Sequence, residues 1–139
     1  MQHAVAHLIR VRADSRCEYC CLSQNHDELP FQVDHIIARK HGGTDDHENL
    51  AWACLSCNNH KGPNIAGLDP DTSQLTRLFN PRSDRWLEHF TWDGAVLQGL
   101  TGIGRTTVLV LAINLPYRVE LRTSLLAEGL PLVGPPQAP

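Results

Sequence analysis

The stretch that decides the fold runs from CEYC at residues 17–20, through VDHII at residues 33–37, to CLSCNNHKG at residues 54–62. A two-residue spacing between cysteines lets a tight turn direct both thiolates at one ion. Two such pairs occur here with 33 residues between them, and together they complete a tetrahedral set of ligands. We therefore predict a structural zinc ion bound by Cys17, Cys20, Cys54 and Cys57.

The fifth cysteine, Cys21, follows the first pair directly. It is either a bystander or a substitute for Cys20 after a shift of one residue. Two unrelated reduced pairs are the alternative to a zinc site. A disulfide framework is disfavoured, because the start of the chain lacks the basic segment and apolar core of a secretory signal. We expect a cytoplasmic protein with reduced thiols.

The composition is that of a folded protein. Of the 139 residues, 42% are hydrophobic and 19% are charged, which suits one domain or one small domain with an extension. The longest apolar run, residues 108–113, is far shorter than the roughly 20 residues of a membrane span. Taken alone, the net charge of −3 argues mildly against binding to nucleic acid.

Residues 1–66 read as helix, strand, loop, strand and helix. An amphipathic helix is predicted over residues 2–13, with Val5, Leu8 and Ile9 on its buried face. Alternating apolar residues predict strands over 31–37 and 49–53, and a polar, glycine-rich loop separates them. The last helix includes residues 58–61, and Gly62-Pro63 ends it.

The second part of the chain, residues 67–139, is predicted to be a mixed extension that packs on the first. Residues 67–85 are rich in turn residues, and Trp86, Phe90 and Trp92 are expected to be core residues. The pattern favours a strand over 95–100 and helices over 106–113 and 117–128, with Pro116 at a helix start. We expect the proline-rich tail, residues 130–139, to be flexible.

Polar residues follow a fixed order around the cysteine pairs. They are Asp34-His35, His41-Gly42-Gly43, Glu48-Asn49-Leu50 and Asn58-x2-Lys61-Gly62. Together with the cysteines, this set resembles the HNH endonuclease family over residues 16–62, which is under half of the chain. The resemblance implies an α+β fold: a small ββα-metal (His-Me finger) core held by a four-cysteine zinc site, with an N-terminal helix and a C-terminal extension.

The resemblance also implies an activity, namely metal-dependent hydrolysis of phosphodiester bonds in DNA. His35 would be the general base that activates water, and an imidazole with an ordinary pKa of about 6.5 suits that task. Asp34 would be an oxygen ligand of a divalent ion. Asn49 would brace the loop and help to orient His35.

A second protein ligand of this ion is expected on the helix after Cys57. Asn58 is the favoured candidate and His60 is the alternative, because the two lie about 200° apart around a helix axis and cannot both face one ion. Asp34 with Asn58 favours Mg²⁺ or Mn²⁺. An Asp-His pair would also suit Zn²⁺ or Ni²⁺.

DNA is the expected partner, and Arg39, Lys40 and Lys61 are the candidate phosphate contacts. A homodimer or a targeting protein is a further expected partner, and no membrane contact is expected. Two alternatives to the nuclease stay open. One is a non-catalytic, zinc-stabilised module that binds nucleic acid, and the other is a zinc-knuckle adaptor that binds protein through its C-terminal half.

Overall fold

The computed structural model describes residues 3–136 and confirms an α+β fold with short helices and three two-stranded antiparallel sheets. The elements in chain order are α1 (His3–Arg12), β1 (Gln32–His35), β2 (Leu50–Ala53), α2 (Leu55–Lys61), β3 (Ala66–Leu68), β4 (Leu75–Arg77), α3 (Trp86–His89), β5 (Phe90–Asp93), β6 (Val96–Gly99), α4 (Gly102–Val110) and α5 (Pro116–Ala127).

The first half contains the predicted ββα unit. β1 pairs with β2 so that Asp34 lies opposite Ala51 and His35 opposite Leu50. All four residues of β2 are buried, and α2 packs against β1. The side chain of Cys54 caps the start of α2 by accepting a hydrogen bond from the backbone N–H of Cys57. The second cysteine pair is therefore built into the helix N-terminus.

Both predicted strands of this unit are too long. β1 ends at His35 because the backbone N–H and C=O of Ile37 bond to the side chain of Asn49 instead of to a neighbouring strand. β2 begins at Leu50 because residues 47–49 form a 3₁₀ turn. These bonds turn the chain into the loop that follows His35.

The predicted buried face of α1 is partly wrong. Ile9 is fully buried and Val5 is half-buried, but Leu8 is 55% exposed. The main contacts of α1 are with β1 and β2, so a narrow strip of the helix is covered. Gln2, at the start of the predicted helix, lies outside the described residues.

The extension contains two hairpins. The β3–β4 hairpin was not predicted, because its three-residue strands lie within a stretch rich in turn residues. The β5–β6 hairpin turns at Gly94, which has a φ of +57°. The strand predicted over residues 95–100 is β6.

Two helices follow the hairpins, and the first begins earlier than predicted. α4 begins at Gly102 instead of residue 106, with the Thr101 side chain accepting a hydrogen bond from Gly104 N–H. A Cβ on Gly104 would lie 2.1 Å from His89 O, so glycine allows the close approach of α4 to α3. The helix predicted over residues 117–128 is α5, which begins at Pro116.

One hydrophobic core runs through both halves of the described chain. It includes Ile9 of α1, the cysteines of both pairs, Trp86 and Phe90, and Ile113 after α4. The indole Nε1 of Trp86 donates a hydrogen bond to Tyr19 O within the first cysteine pair. Trp86 and Phe90 thus lie in the core as predicted, and they tie the extension to that pair.

The proline-rich tail has no regular secondary structure over residues 130–136. Val133 O accepts a hydrogen bond from the Trp92 indole, and Gly134 O accepts one from Arg16. Residues 137–139 of the predicted flexible tail lie outside the described residues. Among residues 3–136, every helix is too short or too polar to cross a lipid bilayer.

Candidate metal centre and HNH site

The four paired cysteines form one buried cluster. Their Sγ atoms all lie within 4.8 Å of one another, and Cys20 Sγ is 3.8 Å from Cys54 Sγ. A tetrahedral ion with Zn–S bonds of about 2.3 Å would place its sulfurs about 3.8 Å apart. Cys21 is buried beside the cluster and is not part of it. The cluster therefore fits a structural zinc ion on ligand type and spacing.

The hydrogen bonds of the cluster suit thiolates. Within each pair, the backbone N–H of the second cysteine points at the Sγ of the first, at 3.5 Å for Cys17 and 3.4 Å for Cys54. Burial raises the pKa of Cys17 well above its ordinary value, whereas hydrogen bonds from neighbouring thiols lower the pKa of Cys20 well below it. A divalent cation favours the deprotonated form of all four ligands.

Arg118, from α5, also contacts the cluster. Its Nη2 lies 3.0 Å from Cys57 Sγ and 3.8 Å from Cys54 Sγ. Its Nη1 donates to the backbone oxygens of Leu111 and Ala112. Burial acts to lower the pKa of Arg118, but the charges of the nearby cysteines outweigh burial and raise that pKa above its ordinary value.

Asp34 and His35 point to opposite sides of β1, as successive residues of a strand do. Asp34 is 4% exposed, and its Oδ2 accepts a hydrogen bond of 2.6 Å from the Tyr19 hydroxyl. Its Oδ1 lies 3.2 Å from the ammonium of Lys61. Burial raises the pKa of Asp34, and the charge of Lys61 opposes that rise. Asp34 is thus part of a buried ion pair between β1 and α2.

Lys61 does not lie where a phosphate could contact it. The side chain is 1% exposed, and its ammonium donates to Asp34 and to the backbone oxygen of His35. In this structure Lys61 therefore pairs with a buried carboxylate instead of offering the predicted phosphate contact. Its i, i+3 relation to Asn58 does place both residues on the side of α2 that faces β1, where Asn58 Nδ2 donates to Gln32 Oε1.

His35 is half-buried and contacts a residue that the sequence did not single out. Its Nε2 lies 2.8 Å from Asp45 Oδ1, and the same oxygen accepts hydrogen bonds from Arg39 at 2.8 and 3.0 Å. The hydrogen bond from His35, together with those from Arg39, holds the pKa of Asp45 below its ordinary value. Asp45 is therefore a carboxylate at neutral pH and orients the imidazole.

Asn49 lies at the base of the loop that carries Asp45. Its side-chain amide pairs with both backbone groups of Ile37 and also donates to Thr44 O at 2.8 Å. A Cβ on Gly43 would lie 2.9 Å from the Asn49 amide nitrogen and 1.7 Å from Ile37 O, so this loop requires glycine there. Asn49 holds the loop, and the loop in turn places Asp45 beside His35.

The remaining predicted site residues lie on the surface. Arg39 and Lys40 are exposed in the 3₁₀ turn directly after β1. His60 is exposed on α2, at the edge of an open groove of about 710 Å³ that Leu29, Leu55 and Tyr117 also line. The structure therefore brings Asp34, Asn58 and Lys61 to the β1–α2 side, and His35, Asp45 and Arg39 to the loop side.

The comparison with protein families concerns this same stretch. Residues 17–64 match the family model of the HNH endonuclease. We call these residues the HNH domain, after the family model that they match. The match begins at Cys17, extends three residues past Lys61, and covers 48 of the 139 residues of the chain. No curated protein and no solved structure matches the chain.

Four residues near the HNH site were not singled out from the sequence: Tyr19, Asp45, Arg118 and Arg122. Tyr19 stands between the cysteines of the first pair, and a large aromatic side chain at that position could have indicated a buried contact. Arg118 and Arg122 occupy positions i and i+4 on the same stripe of α5 as the buried Leu125, and charges in such a stripe predict buried partners. Nothing in the sequence distinguishes Asp45 from its neighbour Asp46.

Proposed function

We propose that the HNH domain is a metal-dependent endonuclease that hydrolyses phosphodiester bonds in DNA. The observation that carries the proposal is the pairing of His35 with Asp45 beside the exposed Arg39 and Lys40. The HNH family is a nuclease family, and a histidine oriented by a carboxylate is a usual arrangement for a general base.

His35 would take the proton from the attacking water. A carboxylate only accepts hydrogen bonds, so the nitrogen that faces Asp45, Nε2, carries a proton. Nδ1 is then the basic nitrogen of the neutral ring. The imidazole of His35 is 20% exposed, so its neighbours hold its orientation while part of the ring stays open to solvent. Asn49 would act indirectly by holding the loop that carries Asp45.

A divalent ion would be held by Asp34 and Asn58. A carboxylate oxygen and an amide oxygen are the donors that Mg²⁺ and Mn²⁺ prefer. To bind Asp34, the ion would have to replace the ammonium of Lys61, which pairs with that carboxylate in this structure. When bound, the ion would stabilise the charge that develops on the phosphate. His60 is the alternative ligand, with Zn²⁺ or Ni²⁺ as suitable ions, but in this structure it borders the groove and not the β1–α2 side where Asp34 lies.

Arg39 and Lys40 would contact the phosphates of DNA. Few basic residues and a net charge of −3 imply modest affinity with a strong dependence on salt. A homodimer or a targeting partner stays a prediction, as does the cytoplasmic location.

Nicking of a supercoiled plasmid tests the activity, with Mg²⁺, Mn²⁺ and Ni²⁺ supplied separately. We expect cleavage with at least one of these ions, and a loss of about 10²–10⁴-fold for His35→Ala, the range for removal of a general base. Asp45→Asn should reduce kcat less severely than His35→Ala, because the general base itself remains. The reduction arises because an asparagine can hold the ring in the wrong tautomer. His47→Ala is the matched control, since His47 is an exposed histidine of the same domain.

Equal cleavage by the wild-type protein and His35→Ala with all three ions would contradict the proposal. If neither protein cleaves but both retard DNA in a gel at low salt, the chain is a non-catalytic, zinc-stabilised module. A wild-type protein that neither cleaves nor binds DNA would favour the protein-binding adaptor.

A further inference from the structure

A four-cysteine zinc site carries a net negative charge that the interior of a protein must neutralise. Four thiolates on a dication leave a charge of about −2. In this structure all four cysteines are buried, so water does little to screen that charge. A buried charge without a partner is strongly unfavourable, whereas one with a hydrogen-bonded partner is tolerated.

Arg118 is the cation in direct contact with these sulfurs. It is 5% exposed, and one edge of its guanidinium bonds to the backbone oxygens that follow α4, at 2.9 Å for Leu111 and 3.2 Å for Ala112. The other amino group reaches Cys57 Sγ at 3.0 Å. A planar guanidinium can hold both sets of partners at once, and a lysine ammonium cannot reproduce this fork.

Arg122 offers an internal comparison one turn further along α5. It is also buried, but its guanidinium bonds to the backbone oxygens of Ala95 and Ile113 and to the side chain of Asn114. It makes no hydrogen bond to a cysteine among the described residues. The two arginines therefore share helix and burial and differ in whether they reach the thiolates.

We infer that Arg118 is a part of the metal centre: it supplies the counter-charge and a hydrogen bond to the zinc-bound thiolate of Cys57. A hydrogen bond to a metal-bound thiolate withdraws charge from sulfur and makes it a poorer target for protons and electrophiles. The zinc site of the HNH domain is then completed by α5 of the extension, which lies outside the residues that match the family. Zinc retention depends on both parts of the chain.

The groove beside α5 offers a way to measure how zinc retention depends on Arg118. Cys20, Cys54 and Arg118 all border the groove of about 710 Å³, so a chelator or an electrophile approaches the thiolates from this side. Removal of the guanidinium would both open this approach and leave the thiolates more nucleophilic. Both effects accelerate the release of zinc.

The test compares full-length Arg118→Met, Arg118→Lys and Arg122→Met with the wild-type protein. Zinc content is measured after purification, and the release of zinc to a chromogenic chelator is followed under conditions in which each variant is folded. We expect Arg118→Met to release zinc about 10- to 100-fold faster, because loss of a partner of a metal ligand typically lowers metal affinity by about that factor. Arg118→Lys should be intermediate, and Arg122→Met should stay near the wild-type rate.

A spectroscopic measurement separates a role at the metal centre from a general loss of stability. With Co²⁺ in place of zinc, the sulfur-to-cobalt charge-transfer bands should shift in Arg118→Met and remain unshifted in Arg122→Met. Equal release rates for Arg118→Met and Arg122→Met, with unshifted bands, would overturn the inference, as would a wild-type protein that binds no zinc. If Arg118→Met does not fold, a wild-type release rate for Arg118→Lys overturns it instead.

Discussion

Asp34 and Lys61 form an ion pair in which neither side chain has appreciable contact with solvent. The pair joins β1 to α2, and the Tyr19 hydroxyl occupies the second carboxylate oxygen. The sequence identified Asp34 and Lys61 as site residues from their positions relative to His35 and Asn58. It could not predict that the two contact each other, because that contact depends on how closely α2 packs against β1.

Removal of Lys61 should therefore destabilise the protein. Lys61→Met leaves a buried carboxylate without its cation, and loss of one partner of a buried pair costs about 3–5 kcal/mol of the free energy of unfolding. The double variant Asp34→Asn/Lys61→Met should recover part of this loss. Lys40→Met is the control, because Lys40 is exposed. Urea unfolding measures all four proteins, and a change below about 0.5 kcal/mol for Lys61→Met would contradict the prediction.

The same variants bear on the proposed ion at Asp34. If Asp34 is a ligand, Mn²⁺ replaces the lost positive charge and should raise the Tm of Lys61→Met more than that of the wild-type protein. It should not do so for the double variant, which lacks the carboxylate. Equal effects of Mn²⁺ on all three proteins would argue against Asp34 as a ligand.

At the scale of elements, the ββα unit was predictable and the β3–β4 hairpin was not. Local rules recognise the parts of the ββα unit: the alternating VDHII stretch predicts a strand, and the glycine-rich loop and the second cysteine pair mark where elements begin and end. The β3–β4 hairpin depends instead on a distant contact: Arg105 of α4 bonds to both carboxylate oxygens of Asp69, at 3.0 and 2.8 Å. Such a contact leaves no periodic signal in the sequence.

This clamp predicts a dependence of stability on pH. Hydrogen bonds from Arg105, and then one from the Asp71 backbone, lower the pKa of Asp69 to about 2. An aspartate of an unfolded chain has a pKa of about 3.9, so the folded state binds its proton less tightly. The stabilisation is therefore fully present above about pH 4 and is lost as the pH falls toward about 2.

Replacement of the carboxylate should reveal that contribution. Asp69→Asn should have a lower Tm than the wild-type protein at pH 7, by a few degrees, and the difference should shrink between pH 4 and pH 2. Asp93→Asn is the control, since Asp93 is exposed at the β5–β6 turn. Melting curves followed by circular dichroism measure the effect, and parallel pH profiles for the wild-type protein and Asp69→Asn would refute it.

At the scale of the whole molecule, the cysteine cluster joins segments that are distant in the sequence. It connects the loop after α1 to the start of α2, and Arg118 and Trp86 connect the extension to the same place. The spacing of the cysteines was enough to predict which four of them come together in one cluster. The role of the extension could not be predicted, because a single buried arginine among ordinary helix residues does not identify its partner.

Removal of zinc should therefore unfold the extension together with the HNH domain. Structural zinc contributes about 10–16 kcal/mol in small zinc domains, and a whole folded protein is stable by only about 5–15 kcal/mol. Without the ion, four buried thiols and Arg118 lose their common partner. We expect a chelator to abolish the far-UV circular dichroism of the helices. In a Trp52→Phe/Trp92→Phe background, where Trp86 is the remaining tryptophan, it should also shift the emission of Trp86, which donates to Tyr19 O.

Re-addition of zinc should restore both signals, and chelator saturated with zinc beforehand is the control that should change neither. The metal content is measured on the same samples. The expectation depends on the contacts of Trp86 and Arg118, which carry any disturbance of the cysteine pairs into the extension. A zinc-free sample that keeps its far-UV spectrum and Tm would show that the ion is dispensable. A sample that loses only part of its helical signal while Trp86 emission stays native would show that the extension, with α4 and α5, folds independently of the cysteine cluster.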